Sequence, residues 1–242
     1  MRRLTFGLER STMDDTLLTL LRSVDTPTVC NAIEVAQGKR GFNAFTRGTM
    51  LASDPTSVMV GYAVTAQIAA VEPPKEDPDT IRARRMAYYK AMAEGPKPSV
   101  AVVEDLDYPH CIGAYWGEVN TTVHKGFGMS GALTNGVMRD LGDLAEDFPV
   151  VAGSIGPSHG FVHVKTVGQP VEIMGMKVSN GDLIHADRHG AVVIPPEVVD
   201  QLEAAIQKMQ DTEKLVLGPA RQEGFSFDEF ERAWSAFEQA RT

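Results

Sequence analysis

Two cysteines in 242 residues leave nothing for a disulfide framework, and Cys30 and Cys111 show no metal-ligand spacing. Both read as small buried apolar side chains in a reducing, cytoplasmic setting. No stretch reaches the ~18 consecutive apolar residues of a membrane span. The first residues also lack the apolar core of a secretory signal. No membrane partner is therefore expected. Positive charge is scarce as well: 23 Lys and Arg face 32 Asp and Glu, a net charge of −9. That balance argues against a nucleic-acid partner, because phosphate contacts need clustered cations. It leaves small anionic ligands open, since one arginine and a metal can hold a carboxylate. Internal repeats, low-complexity tracts and linkers are missing too. The simplest account is one α/β domain over 1–242, with helical extensions at both ends.

What is present is a chain that is 43% hydrophobic, enough to fill a core. Ser11 and Thr12 can cap a first helix, Asp14 and Asp15 suit its positive end, and Leu17, Leu18, Leu21 and Val24 share a face. Thr26-Pro27-Thr28 opens a second short helix over 29–35. The run 57–70 reads as a buried strand. Pro73, Pro74 and Pro78 mark a loop before a helix over 81–93, with Ile81, Tyr88, Tyr89 and Met92 on one face. Arg82, Arg84 and Arg85 on that helix read as a solvated basic face. A strand over 99–103 runs into Glu104, Asp105 and Asp107. A helix over 118–127 follows, with Val119, Val123 and Phe127 on one side. A strand starts at 132–133, a short helix is expected over 140–146, and a strand over 149–152. Short strands separated by Gly and Asn turns fill 162–194. The end is helical. Val198, Leu202, Ala205, Ile206 and Met209 make one stripe. Ser226 and Glu229 form a capping box, with Phe225 stapled to Phe230, before an aromatic stripe of Phe230, Trp234 and Phe237.

Three motifs bear on chemistry. Gly126 to Gly131 spells GxGxxG, but a dinucleotide fingerprint follows a strand and opens a helix, and here the order is reversed. The glycines are read as a tight helix-to-strand connection. His185, Asp187 and His189 alternate and would share a strand face, as some metal trios do, but Asp187 to Gly190 also suits a turn between two strands, with Asp accepting backbone hydrogen bonds. The turn is the stronger reading. His159 and His163 read as ordinary. The strongest signal is Thr134-Asn-Gly-Val-Met-Arg139-Asp140-Leu-Gly-Asp143. Asn135-Gly136 permits a sharp turn after a buried strand, delivering Arg139 and Asp140 where α/β proteins place their sites. A surface ion pair is the plainer alternative, but neighbours on a strand point to opposite faces, which makes a mutual pair awkward. A free Asp carboxylate binds a hard divalent cation, and an adjacent Arg neutralises a developing enolate or carboxylate.

The stretch 113–195 resembles the family of the regulator of ribonuclease activity A. Its enzymatic branch comprises the class II 4-hydroxy-4-methyl-2-oxoglutarate/4-carboxy-4-hydroxy-2-oxoadipate aldolases. That family carries an acidic residue or Gly, twenty residues, then Arg-Asp, matched here by Glu118, Arg139 and Asp140, with Asp143 after them. TPTVCNAIE (26–34), VGYAVTAQ (60–67), FPVVAGSIGPS (148–158) and GDLIHADRHGAVVIP (181–195) resemble its other segments, so the likeness spans most of 26–197, with 198–242 as C-terminal helices. The resemblance implies a compact α/β sandwich of swivelling-domain type and a homotrimer or homohexamer with sites between subunits. It implies Mg²⁺ or Mn²⁺ on Asp140, Arg139 on a substrate oxygen, and backbone N–H groups of Gly117, Glu118, Val119 and Asn120 on the substrate carboxylate. The last role agrees with the affinity of helix N-termini for anions. It further implies a metal-dependent carbon–carbon lyase acting on a small 2-oxo acid, an aldolase or oxaloacetate decarboxylase, with Glu118 or Asp143 ordering a basic water. Glu213 is the candidate for a C-terminal Glu reaching a neighbour's site. Where the aldolase branch has Asp and the regulator branch Gly, this chain has Glu118. The alternative implied by the regulator branch is a non-catalytic protein that binds a ribonuclease or another partner.

Overall fold

A computed structural model describes residues 13–241. The expected caps Ser11 and Thr12 lie outside them. Within them, Asp14 caps helix α1 (Asp15–Ser23), accepting the Leu17 N–H at 2.7 Å. Asp25 caps α2 (Thr26–Gln37), which Gly38 ends in a left-handed conformation. Strands β1 (Leu51–Ala52) and β2 (Met59–Ala69) follow, then α3 (Pro78–Glu94), β3 (Ser99–Asp105), β4 (Ala114–Trp116) and α4 (Glu118–Gly126). Pro78 belongs to the first turn of α3 rather than to the preceding loop, a place where a missing N–H costs nothing. Next come β5 (Gly131–Thr134), β6 (Val137–Met138), β7 (Val150–Ala152), β8 (Ser154–Ile155), β9 (His163–Val167), β10 (Val171–Ile173) and β11 (Met176–Val178). The chain continues through β12 (Leu183–Asp187), β13 (Gly190–Ile194), α5 (Val199–Ala220) and α6 (Phe227–Arg241).

The main sheet runs β1-β7-β5-β3-β2-β12-β13, and β9 joins it by pairing with the far half of β2. Its centre, β7-β5-β3-β2, is parallel. Such a centre is covered on both faces, so its strands read as near-continuous apolar runs. In β3, Ala101 and Val103 pack with Tyr88 and Met92 of α3, while Val100 and Val102 pack with Ile173, Met176 and Val178 of the β10–β11 hairpin. A third cluster joins α1, α2 and α5 to Val60, Leu183 and Val192. A small parallel sheet, β4-β6-β8, completes the α/β sandwich. The C-terminal capping box forms as expected, with Ser226 N–H donating to Glu229 at 2.8 Å. The Phe230 ring meets Phe227, 6.0 Å away, and Trp234, 5.5 Å away, both tilted.

Several expectations change in detail. Both cysteines are half-buried and free, and burial pushes their thiols up to about 11 (Cys30) and about 12 (Cys111), so neither is a nucleophile at neutral pH. The region 140–146 is not a helix. Asp140 has φ +54° and the chain closes into a turn through Asp143 N–H to Asp140 O, so no helical nucleus forms. In α4, Val119 does not face the core; it is 71% exposed, and the buried residues are Thr121 and His124.

His124 is fully buried, its Nδ1 2.6 Å from Asn120 O and its Nε2 2.7 Å from Tyr88 Oη. With Nδ1 donating to the carbonyl, the neutral ring accepts the Tyr88 hydroxyl. Burial pushes the imidazole down to about 4, outweighing the bond to Asn120 O. Between that value and ordinary His titration near 6.5, the unfolded chain binds a proton that the folded chain does not. The stabilisation is therefore complete above that ordinary value and is lost as pH falls toward 4. Urea unfolding should lose about 3 kcal/mol more between pH 7 and pH 4 in the wild type than in His124→Gln. Parallel pH profiles for the two proteins would refute the assignment.

Candidate functional site

Strands β4 and β6 lie side by side and parallel, Trp116 opposite Met138, so the segments that leave them emerge at the same edge. β4 passes through Gly117 into α4, and β6 passes into Arg139 and Asp140. The Arg139 N–H donates to Trp116 O at 2.8 Å, holding the two exits together. Because β6 ends at Met138 and Asp140 is left-handed, strand alternation does not apply beyond that point. Arg139 Nε and Asp140 Oδ2 lie 3.3 Å apart, so the mutual pair that strand geometry disfavoured does form. The same Oδ2 accepts the Glu118 N–H at 3.2 Å. Arg139 Nε is buried but misaligned for a hydrogen bond, and the terminal guanidinium nitrogens are bound to no described residue.

Gly117 is what lets these groups approach. Its backbone (φ −134°, ψ −169°) suits any residue, so conformation does not require glycine there. Space does. A Cβ at this position would collide with the Asp140 carboxylate and lie 3.0 Å from Arg139 Nε.

The structure brings together Gly117, the Glu118 backbone, Arg139 and Asp140. It spends the Glu118 N–H on Asp140, which leaves the N–H groups of Val119 and Asn120 as those without an intrahelical acceptor at the positive end of α4. The Asn120 side chain points inward: Nδ2 donates to Tyr115 O at 2.6 Å and Oδ1 accepts the Tyr89 hydroxyl at 2.8 Å. Thr121 Oγ1 accepts the Ala145 N–H at 3.1 Å, tying the loop after Asp140 to the helix. The side chains of Glu118 and Asp143 are exposed and make no hydrogen bond to Arg139 or Asp140.

A cleft of about 450 Å³ opens beside this cluster. Tyr115, Asn120 and Arg139 line it, and so do Arg85, Tyr89, His159 and His163. No Asp or Glu lines it. Sequence reasoning left the two histidines as ordinary and Arg85 on a solvated face, since the segments that carry them meet only through the tertiary fold. Larger grooves of about 970 and 710 Å³ lie against α5 and hold none of these residues; Glu213 lines the second of them, away from Arg139.

His185 and Asp187 lie on β12, and the chain turns through Arg188 and His189 into β13, as the turn reading of Asp187 to Gly190 has it. Both His185 nitrogens are engaged, with Thr26 Oγ1 and Leu21 O, and Asp187 accepts the N–H groups of Thr26 and His189. Among the described residues no group of three His, Cys, Asp or Glu side chains is placed to hold a metal. Mg²⁺ does not require one: it keeps several waters and takes one or two carboxylates, and Asp140, next to the cleft-lining Arg139, offers one. No helix among the described residues is long and apolar enough to cross a membrane.

The RraA-like family model, described as Aldolase/RraA, matches residues 26–193. Protein DlpA of Legionella pneumophila is 26% identical over 200 residues, 80% of this chain; the match spans 30% of that longer protein. A Halalkalibacterium halodurans protein provisionally named 4-hydroxy-4-methyl-2-oxoglutarate aldolase is 25% identical over 199 residues, covering 81% of this chain and 85% of its own. Among solved structures, an uncharacterized Pseudomonas syringae protein superposes with a TM-score of 0.66 at 21% identity, over 99% of each chain. Streptomyces coelicolor RraAS2, described as an unusual member of the RNase ES inhibitor RraA protein family, gives 0.63 at 22%, over 86% of this chain and 98% of its own. These likenesses establish the fold.

Proposed function

This chain belongs to the RraA-like family, and on that premise we propose that it is a divalent-metal-dependent carbon–carbon lyase acting on a small 2-oxo acid, as an aldolase or an oxaloacetate decarboxylase. The observation that carries this reading is the Arg139–Asp140 pair set against the start of α4, beside a cleft that Arg139 lines. The provisional aldolase name of the Halalkalibacterium relative supports it.

Asp140, with water completing the shell, would hold Mg²⁺ or Mn²⁺, which when bound supplies Lewis-acid polarisation of the 2-oxo group. The chain's own groups do the rest. The N–H groups of Val119 and Asn120 bind the substrate carboxylate at the helix start. The free guanidinium nitrogens of Arg139 face the 2-oxo oxygen, where negative charge develops as the C3–C4 bond breaks. The electron pair of that bond passes to the oxo group as an enolate, which then takes a proton at C3 to give pyruvate. The C4 hydroxyl loses its proton to a water ordered by Glu118 or Asp143 and leaves as a carbonyl. With oxaloacetate the departing fragment is CO₂. A homotrimer or homohexamer would cover the apolar rim of the site, where Val119, Phe161 (55% exposed) and Leu141 (50%) face outward.

The test is pyruvate release from oxaloacetate and 4-hydroxy-4-methyl-2-oxoglutarate. Turnover should require Mg²⁺ or Mn²⁺, vanish on chelation and return when metal is added back. Absence of turnover with every substrate and metal would overturn the proposal in favour of a non-catalytic, protein-binding role.

A further inference from the structure

The cleft is cationic in a chain whose net charge is −9. Two arginines line it, and Arg139 accounts for only one end. Arg85 projects from α3 into the same space, and among the described residues it has no ion-pair or hydrogen-bond partner. Its neighbour Arg84 is turned away, donating to Glu76 at 2.9 Å and to Val164 O at 3.2 Å. The histidines nearby each spend one ring nitrogen on the backbone: His159 Nδ1 lies 2.7 Å from Gly160 O and His163 Nδ1 lies 2.8 Å from Phe161 O. Arg85, a guanidinium that stays charged at any working pH, is the permanent cation of the far end. An unpaired guanidinium facing a cleft without carboxylates is a site for a planar oxyanion, which its fork grips with two parallel bonds.

We infer that Arg85 is a specificity-determining residue that receives the distal carboxylate of the ligand, so that the protein selects 2-oxo dicarboxylates over 2-oxo monocarboxylates. The inference rests on the 2-oxo acid reading above and deepens it. One carboxylate sits at the α4 start with the 2-oxo group by Arg139, and the second reaches across the cleft to α3. The volume, about 450 Å³, falls within the range of small-ligand pockets.

Calorimetry with two ligands of equal chain length, 2-oxoglutarate and 2-oxopentanoate, tests this without turnover, because neither has a C4 hydroxyl to cleave. With Mg²⁺ present, the wild type should bind 2-oxoglutarate about tenfold or more tightly than 2-oxopentanoate. Arg85→Gln should erase that preference while leaving 2-oxopentanoate binding unchanged, and Arg85→Lys should restore part of it. Equal wild-type affinities, or a preference that survives in Arg85→Gln, would overturn the role of Arg85 and leave the 2-oxo acid reading standing. Failure of the wild type to bind either ligand would overturn both.

Discussion

Asp140→Asn is expected to lower turnover by about 10³-fold or more while moving the thermal midpoint by no more than about 2 °C. Asparagine is the informative replacement because of the backbone. Asp140 sits at φ +54°, where Asn is tolerated and Ala is strained. The amide oxygen can still accept the Glu118 N–H now held at 3.2 Å, so the loop keeps its anchor. What disappears is the negative charge, and with it the affinity for a hard divalent cation. Steady-state kinetics at saturating Mg²⁺, paired with a melting curve, reads both effects. Activity within about tenfold of wild type would remove Asp140 from the chemistry.

The second large effect is expected at a residue with no functional group. Gly117→Ala adds one methyl where the Asp140 carboxylate now lies. The backbone accepts Ala without strain, so the cost falls on the neighbours. Arg139 is held through its N–H to Trp116 O, whereas Asp140 lies in an exposed loop, so the carboxylate moves. A displacement on the order of 1 Å at a reacting centre costs about 10²-fold in kcat. Gly142→Ala, in the same loop but opening onto empty space, is the control and should behave as wild type. If Gly117→Ala keeps normal kcat, the close approach is not functional.

How much of this was legible beforehand differs by element. The capping box at Ser226 and Glu229, the apolar face of α3 and the strands β2 and β3 were readable, because each follows from local spacing and burial. The helix-then-strand order around Gly126–Gly131 was readable for the same reason. The Arg139–Asp140 pair was found by residue type and by likeness to a family, but its geometry was not. Alternation predicts divergent side chains, and nothing local announces that β6 stops after two residues. Val119 and Val123 are apolar at helical spacing, yet Val119 faces outward, since the side of α4 that packs is set by β4 and α3. Arg85, His159 and His163 could not be joined to Arg139 from spacing, because they come from separate segments that only the assembled sheets bring to one wall.

The pairing of β2 carries a consequence for how the protein is made. On one side β2 pairs with β3, which follows it after a single helix. On its other side Tyr62 meets Leu183 and Ala69 meets His163, partners that come much later in the chain. During synthesis, which proceeds from the N-terminus, the central strand is therefore translated long before that edge can be closed. Until β9 and β12 emerge, the unpaired N–H and C=O groups of this apolar strand stay open to another chain, the arrangement that promotes aggregation. Closing it requires long loops to be drawn in, which makes folding slow for a domain of this size. Chains cut short before residue 163 would carry a complete Arg139–Asp140 segment and no finished sheet to hold it, and they should accumulate as insoluble material rather than as a smaller working protein.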